Sequence, residues 1–186
     1  MELRNLLDLS NVATNKIEER FKEIADLLFK EYCIKKGKDQ YKFLEIEFYY
    51  YTKGFEDIIT YPRNAKSGKW FFHNSGVDIT FESDITKHYF GGILIRSLLK
   101  NDENVIKGPL NCLDSLFDII DAFELEKKDL PLIVKNENEK LPVIATTRYI
   151  GSKYDSFPKV KEEYRFYIKH PKWENITTTK YRARPW

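Results

Sequence analysis

The chain has 186 residues and a mass of 22.2 kDa, the size of one domain; 42% hydrophobic and 32% charged residues exclude bulk disorder and a disulfide-stapled miniprotein. Lys and Arg number 31 against 29 Asp and Glu, a net charge of +2 that excludes attachment to nucleic acid by bulk charge and leaves room only for a local basic patch. Aromatic residues reach 15%, with 13 Phe, 12 Tyr and 3 Trp, so the chain builds a thick core, a stacking site, or both.

From the N-terminus, MELRNLLDLSNVATNK carries acids and polar residues where a signal peptide needs an unbroken apolar stretch, and no apolar run approaches the roughly 18–20 residues of a membrane span. The expectation is a cytoplasmic protein with no membrane partner. Cys33 and Cys112 stand 79 residues apart and read as two buried thiols in a reducing compartment. Residues 14–33 predict an amphipathic helix, with Ile17, Phe21, Ile24, Ala25 and Leu28 on one stripe. Thr14 or Asn15 is its expected cap, and Glu18 and Glu19 sit in its first turn, where the helix dipole favours acids. Gly37 opens a turn.

In YKFLEIEFYYY the period changes to two: Leu44, Ile46, Phe48 and Tyr50 face one way and Glu45, Glu47, Tyr49 and Tyr51 the other. The second face is polar yet able to stack against something flat. Residues 52–69 read as a loop with four basic residues. WFFHNSGVDITF reads as two short strands broken at Ser75-Gly76, and YFGGILIRSLL as a strand starting after a glycine pair. CLDSLFDIIDAF predicts a second helix, residues 124–141 a charged loop, EYRFYIKH a last strand, and 180–186 a basic aromatic tail. Strands and helices do not alternate regularly, and no Gly-rich phosphate loop is present. The predicted fold is therefore α+β: a single compact domain, residues 1–186, with a curved, largely antiparallel sheet and packed helices.

For chemistry, His73, Asp78, Glu82, Asp84 and His88 lie close in sequence without any metal-binding spacing, so no metal site is assigned. Neither cysteine sits near a histidine, and no Gly-x-Ser-x-Gly appears. Glu45 and Glu47 remain, about 7 Å apart on one strand face. Among aromatics, one of them can serve as a general base toward water; the plainer alternative is a carboxylate pair bonded to Lys or Arg on the next strand.

The order of motifs resembles the alkylpurine (3-methyladenine) DNA glycosylase family. IADLLFKEYCI is similar to its opening A-x-x-LLGK-x-LV, FLEIEFYYY to its I-V-E-x-E-A-Y, ILIRSL with GPLNCL to its V-L-L-R-A-L…GP-x-x-L, and TTRYIGS with EYRFYIKHP to its closing P-R-I-G-I…P-x-RFY-x-K-x-P. The matches run in order over about residues 25–171. The resemblance implies a base-excision hydrolase that needs no cofactor and cleaves the N-glycosidic bond of a flipped, alkylated purine. Its partner would be damaged, mismatched or single-stranded DNA. It implies that Glu47 activates the water, that Tyr49 stacks on the base, with Tyr61 standing in for the family's loop histidine, and that Arg96 contacts DNA; beside these, Glu45 is the second candidate catalytic carboxylate and Arg148 and Arg165 are further expected DNA contacts. The sequence departs from the family where a wedge tyrosine precedes glycine, since Ser75 stands there, and Asp78 and Glu82 add negative charge nearby. The alternative reading is a fold-sharing protein that binds nucleic acid or a small ligand without cleaving it.

Overall fold

The computed structural model describes residues 3–118, 120, 123 and 130–172. Strand β1 (Tyr32–Lys36) turns at Gly37 (φ +58°) into the 14-residue β2 (Asp39–Thr52), about which the molecule is organised. β3 (Phe55–Glu56) folds back on its end. β4 (Trp70–His73) and β5 (Gly76–Thr80) form a hairpin that turns through Asn74 and Ser75. β6 (Phe90–Lys100) runs beside β2 for most of its length, and β7 (Asn104–Lys107) extends it. β8 (Leu132–Lys135) pairs with β1, β9 (Val143–Thr146) with β10 (Arg165–Ile168), and β10 with the middle of β2. Every ladder among these strands is antiparallel, so the domain is a single compact α+β unit on one curled sheet.

A short helix α1 (Leu3–Leu6) packs on α2 (Ile17–Glu31), whose predicted stripe is fully buried, with Phe29 added to it. Two details of that helix differ from expectation. A 3-10 turn at Thr14–Lys16 leads in with no side-chain cap, and the chain leaves the helix at Tyr32 because the apolar run Tyr32, Cys33 and Ile34 joins the sheet. Asn138 closes the helix by donating Nδ2 to the carbonyls of Phe29 and Tyr32 at 2.9 and 2.8 Å. It belongs to the predicted charged loop, of which Leu132–Lys135 is in fact the strand β8; residues 124–129 and the tail at 180–186 lie outside the described residues. The second predicted helix begins earlier, as α3 (Pro109–Phe117), where Pro109 at its first turn suits a position with no N–H to satisfy.

The sheet has two unlike faces. On the α2 side, Ile46, Phe48 and Tyr50 meet Phe21, Phe55, Phe81 and Tyr164 in an aromatic core, with Phe21 and Phe48 stacked at 4.6 Å. On the other side the cross-strand row Asp78–Leu94–Glu47–Arg165 runs over four strands. The far end of that face lies beneath α3, and the loops at 57–69 and 147–161 fold over it. Both cysteines are free and buried, and burial pushes the thiols up from their ordinary range. Among the described residues no helix is long and apolar enough to cross a membrane.

Candidate functional site

The site begins with a break in strand register. Between β2 and β6, Glu45 faces Ser97 but Ile46 faces Ile95, which leaves Arg96 as an extra residue at the slip. Its guanidinium then reaches both carboxylates: Nε donates to Glu45 Oε1 and Nη1 to Glu47 Oε2, each at 3.1 Å. Ser97 Oγ donates to Glu45 Oε2 at 3.0 Å, and Arg165 Nε lies 3.5 Å from Glu45 Oε1. Burial raises the Glu45 pKa; Arg96 opposes that change and the neighbouring Glu47 adds to it.

Glu47 is 0% exposed and lies between two residues that line a cleft. Tyr49 Oη donates to its Oε2 at 2.8 Å, and the backbone N–H of Tyr149 reaches its Oε1 at 3.3 Å. Burial holds the Tyr49 phenol well above its usual pKa, and the Glu47 charge adds to the effect, so the hydroxyl remains a donor to the carboxylate. A carboxylate offers about four acceptor positions. Among the described residues three are filled, two on Oε2 and one on Oε1, which leaves the second position on Oε1.

The cleft above has a volume of about 670 Å³, and six of its sixteen lining residues carry flat rings. Tyr49 is its floor, and the Arg148 guanidinium sits 4.6 Å from the back of that ring. Arg148 also grips Asp57 with two hydrogen bonds, of 2.6 and 3.0 Å, and donates to the carbonyls of Phe48 and Lys159. It thereby ties both covering loops to β2. Tyr61 forms a second wall, 45% exposed, its ring 4.8 Å from that of His73. His73 accepts the Ser75 N–H at Nδ1 and pairs through Nε2 with Asp78 Oδ1 at 2.9 Å, a pattern that assigns its proton to Nε2. Arg63 Nη1 holds the other Asp78 oxygen at 2.6 Å, while its own Nε donates to the carbonyl of Tyr61. Gly92 makes room for this: a Cβ there would stand 2.8 Å from Arg63 Nη1 and 3.0 Å from Asp78 Cβ.

The structure brings Glu45, Glu47, Tyr49, Tyr61, Arg96, Arg148 and Arg165 into one neighbourhood, but it corrects two expectations. Arg96 and Arg148 are not surface cations offered to phosphate, because their side chains are 5% and 0% exposed and held by carboxylates. Arg165, with 11% of its side chain exposed, is likewise committed to Glu45. The plainer reading of Glu45 and Glu47, bonding to an arginine on the next strand, is the arrangement seen with Arg96. The acids that add negative charge near the cleft are also neutralised, Asp78 by Arg63 and Glu82 by Lys66, while Asp84 caps the turn Ile85–Lys87. Sequence reasoning missed Arg63, His73 and Tyr149 as parts of the cleft, and Asp57 as the buried partner of Arg148. The one local signal was Arg63 in a loop that also holds Tyr61; nothing in the sequence placed that loop over Gly92.

No protein-family model matches the chain, and comparison with curated proteins finds no significant similarity.

Proposed function

We propose that the cleft receives a flat, extruded nucleobase and that Glu47 directs hydrolysis of its N-glycosidic bond, the activity of an alkylpurine DNA N-glycosylase. The observation that carries this reading is a buried carboxylate, steadied by Arg96 and bonded to Tyr49, a tyrosine that lines a cleft of about 670 Å³. A purine alkylated on a ring nitrogen is cationic, and the π faces of Tyr49 and Tyr61 attract a flat cation. Water held at the remaining Oε1 position would give its proton to Glu47 as its oxygen bonds to the sugar carbon. The C–N bond pair leaves with the base, which departs neutral, so no separate acid is required. Arg96 holds Glu47 in place for that transfer through the bond from Nη1 to Oε2. Base-excision repair and a DNA partner follow from this activity.

A second reading has its own support. Glu47 has no exposed surface and three of its acceptor positions are filled, as suits a carboxylate that only braces a binding pocket. Base release from alkylated DNA separates the two. The glycosylase reading expects release by the wild type and loss by at least about 100-fold in Glu47→Gln, within the range for a removed general base. Binding of free 3-methyladenine, followed by tyrosine fluorescence, should change little in the variant. Binding without any release by the wild type would leave the pocket and remove the enzyme.

A further inference from the structure

The mouth of the cleft is as distinctive as its floor. Four large apolar side chains that line it are also strongly exposed: Ile58 at 47%, Tyr61 at 45%, Tyr149 at 50% and Phe157 at 38%. Leaving such a group in water is unfavourable by about 25 cal/mol per Å² of apolar surface, and a cluster around one opening marks a contact surface. Among the described residues, two of the three rings have a ring neighbour behind them: Tyr61 rests on His73 at 4.8 Å, and Phe157 on Tyr154 at 5.6 Å. Ser75, beside Gly76, also lines the cleft and is small.

Charge identifies the occupant. The two segments that form the mouth, 52–69 and 147–161, contain eight Lys and Arg against three Asp and Glu. Arg148 is paired with Asp57, Arg63 with Asp78, Lys66 with Glu82 and Lys159 with Glu18, so the exposed surplus is Lys53, Lys69, Lys153 and Lys161 against Glu56 and Asp155. Exposed flat rings around one opening, in loops with a surplus of exposed lysines, are the two components of a single-stranded nucleic-acid groove: stacking takes any base, and the cations follow the backbone. A duplex keeps its bases stacked on one another and presents nothing to these rings. A side chain as short as serine also cannot hold a duplex open after a base leaves it.

The geometry points to a single-stranded polynucleotide as the ligand, with the bases flanking the bound one stacked on Tyr149 and Phe157. This rests on the reading of the cleft as a base pocket, whether or not cleavage follows.

The test compares the full chain's affinity for a labelled mixed-sequence DNA strand of about twelve nucleotides, its RNA counterpart and the blunt DNA duplex, with free 3-methyladenine measured alongside. The expected result is single-strand binding about ten-fold or more tighter than duplex binding. Tyr149→Ala and Phe157→Ala should each weaken the single strand by about ten-fold, and Tyr149→Phe should restore it. Preference for RNA or for DNA then identifies which polynucleotide is used. Equal or tighter duplex binding overturns the inference, as does single-strand affinity indifferent to both alanine variants. If free base still binds in either case, the pocket reading survives. Self-association of the wild type that is lost in the rim variants, with nucleic-acid affinity unchanged, would mean that a second copy covers the mouth. Failure of strands and free base alike removes the inference and the pocket together.

Discussion

One strand, β2, presents two opposite solutions to burial. On one face Phe48 stacks on Phe21 at 4.6 Å and meets Phe166 edge-on at 5.2 Å, and every such contact favours folding. On the other face, one and three residues away, Glu47 and Glu45 are just as deeply buried and need Arg96 and Arg165 to be tolerable. Removing a carboxylate from water costs several kcal/mol, and an ion pair returns at most about that much, so well-packed apolar residues would serve stability equally or better. Folding therefore accounts for the first face and not for the second. The charged face is explained by the cleft above it.

The largest effects come from breaking either face outright. Phe48→Ala should cost about 3–5 kcal/mol in urea unfolding, as for other buried phenylalanines. Arg96→Met should cost about as much, because it strands two buried carboxylates. The deciding protein is the quadruple variant Glu45→Leu, Glu47→Met, Arg96→Met, Arg165→Met, which leaves none of the four charges behind. It should unfold within about 1 kcal/mol of the wild type, or later, while losing any base release. A quadruple variant as unstable as the single one would mean that the charges support the fold itself.

The glycine pair in β6 sharpens the same contrast, since neighbouring residues address opposite faces. A Cβ on Gly91 would stand 2.2 Å from the Tyr49 carbonyl oxygen and 2.9 Å from Tyr50 Cα, contacts with backbone that cannot yield. Gly91→Ala should thus cost about 3 kcal/mol in unfolding experiments. At Gly92 the nearest atom is Arg63 Nη1, part of the cleft wall. Gly92→Ala should cost less stability, about 1–2 kcal/mol, but weaken free-base binding more than Gly91→Ala does in its folded fraction. Gly151→Ala, with nothing within 4 Å, is the matched control and should be neutral.

The core face was legible because it follows a simple period. Alternation in β2 and the stripe Ile17, Phe21, Ile24, Leu28 each name their buried residues without knowledge of any partner. The strand at Leu132–Lys135 was hidden inside a charged stretch, since its four residues gain strand character only from pairing with β1. For the cleft, the sequence supplied Glu47 and Tyr49 through the same alternation, but not what lies around them. Arg148 looked like a surface cation because its partner, Asp57, is 91 residues away in sequence. The pairing of Arg63 with Asp78 depends on a side chain that Gly92 lacks, an absence that no pattern in the loop itself reveals.

The smallest effect is a pH dependence that asks whether burial or Arg96 dominates at Glu45. Burial raises its folded pKa above the ordinary value of 4.5, against the opposing pull of Arg96. A carboxyl whose pKa is higher in the folded state binds its proton more tightly there, so ionising it removes stability. Relative to Glu45→Gln, the wild type should be most favoured below the unfolded pKa and lose that advantage as pH rises through the folded one. The loss amounts to about 1.4 kcal/mol for each pH unit that separates the two pKa values. The measurement is the difference in urea-unfolding free energy between the two proteins across that range, in which the other groups cancel. An advantage that grew with pH would reverse the sign: the folded pKa would then be depressed, Arg96 would outweigh burial, and the charged face would contribute to stability after all.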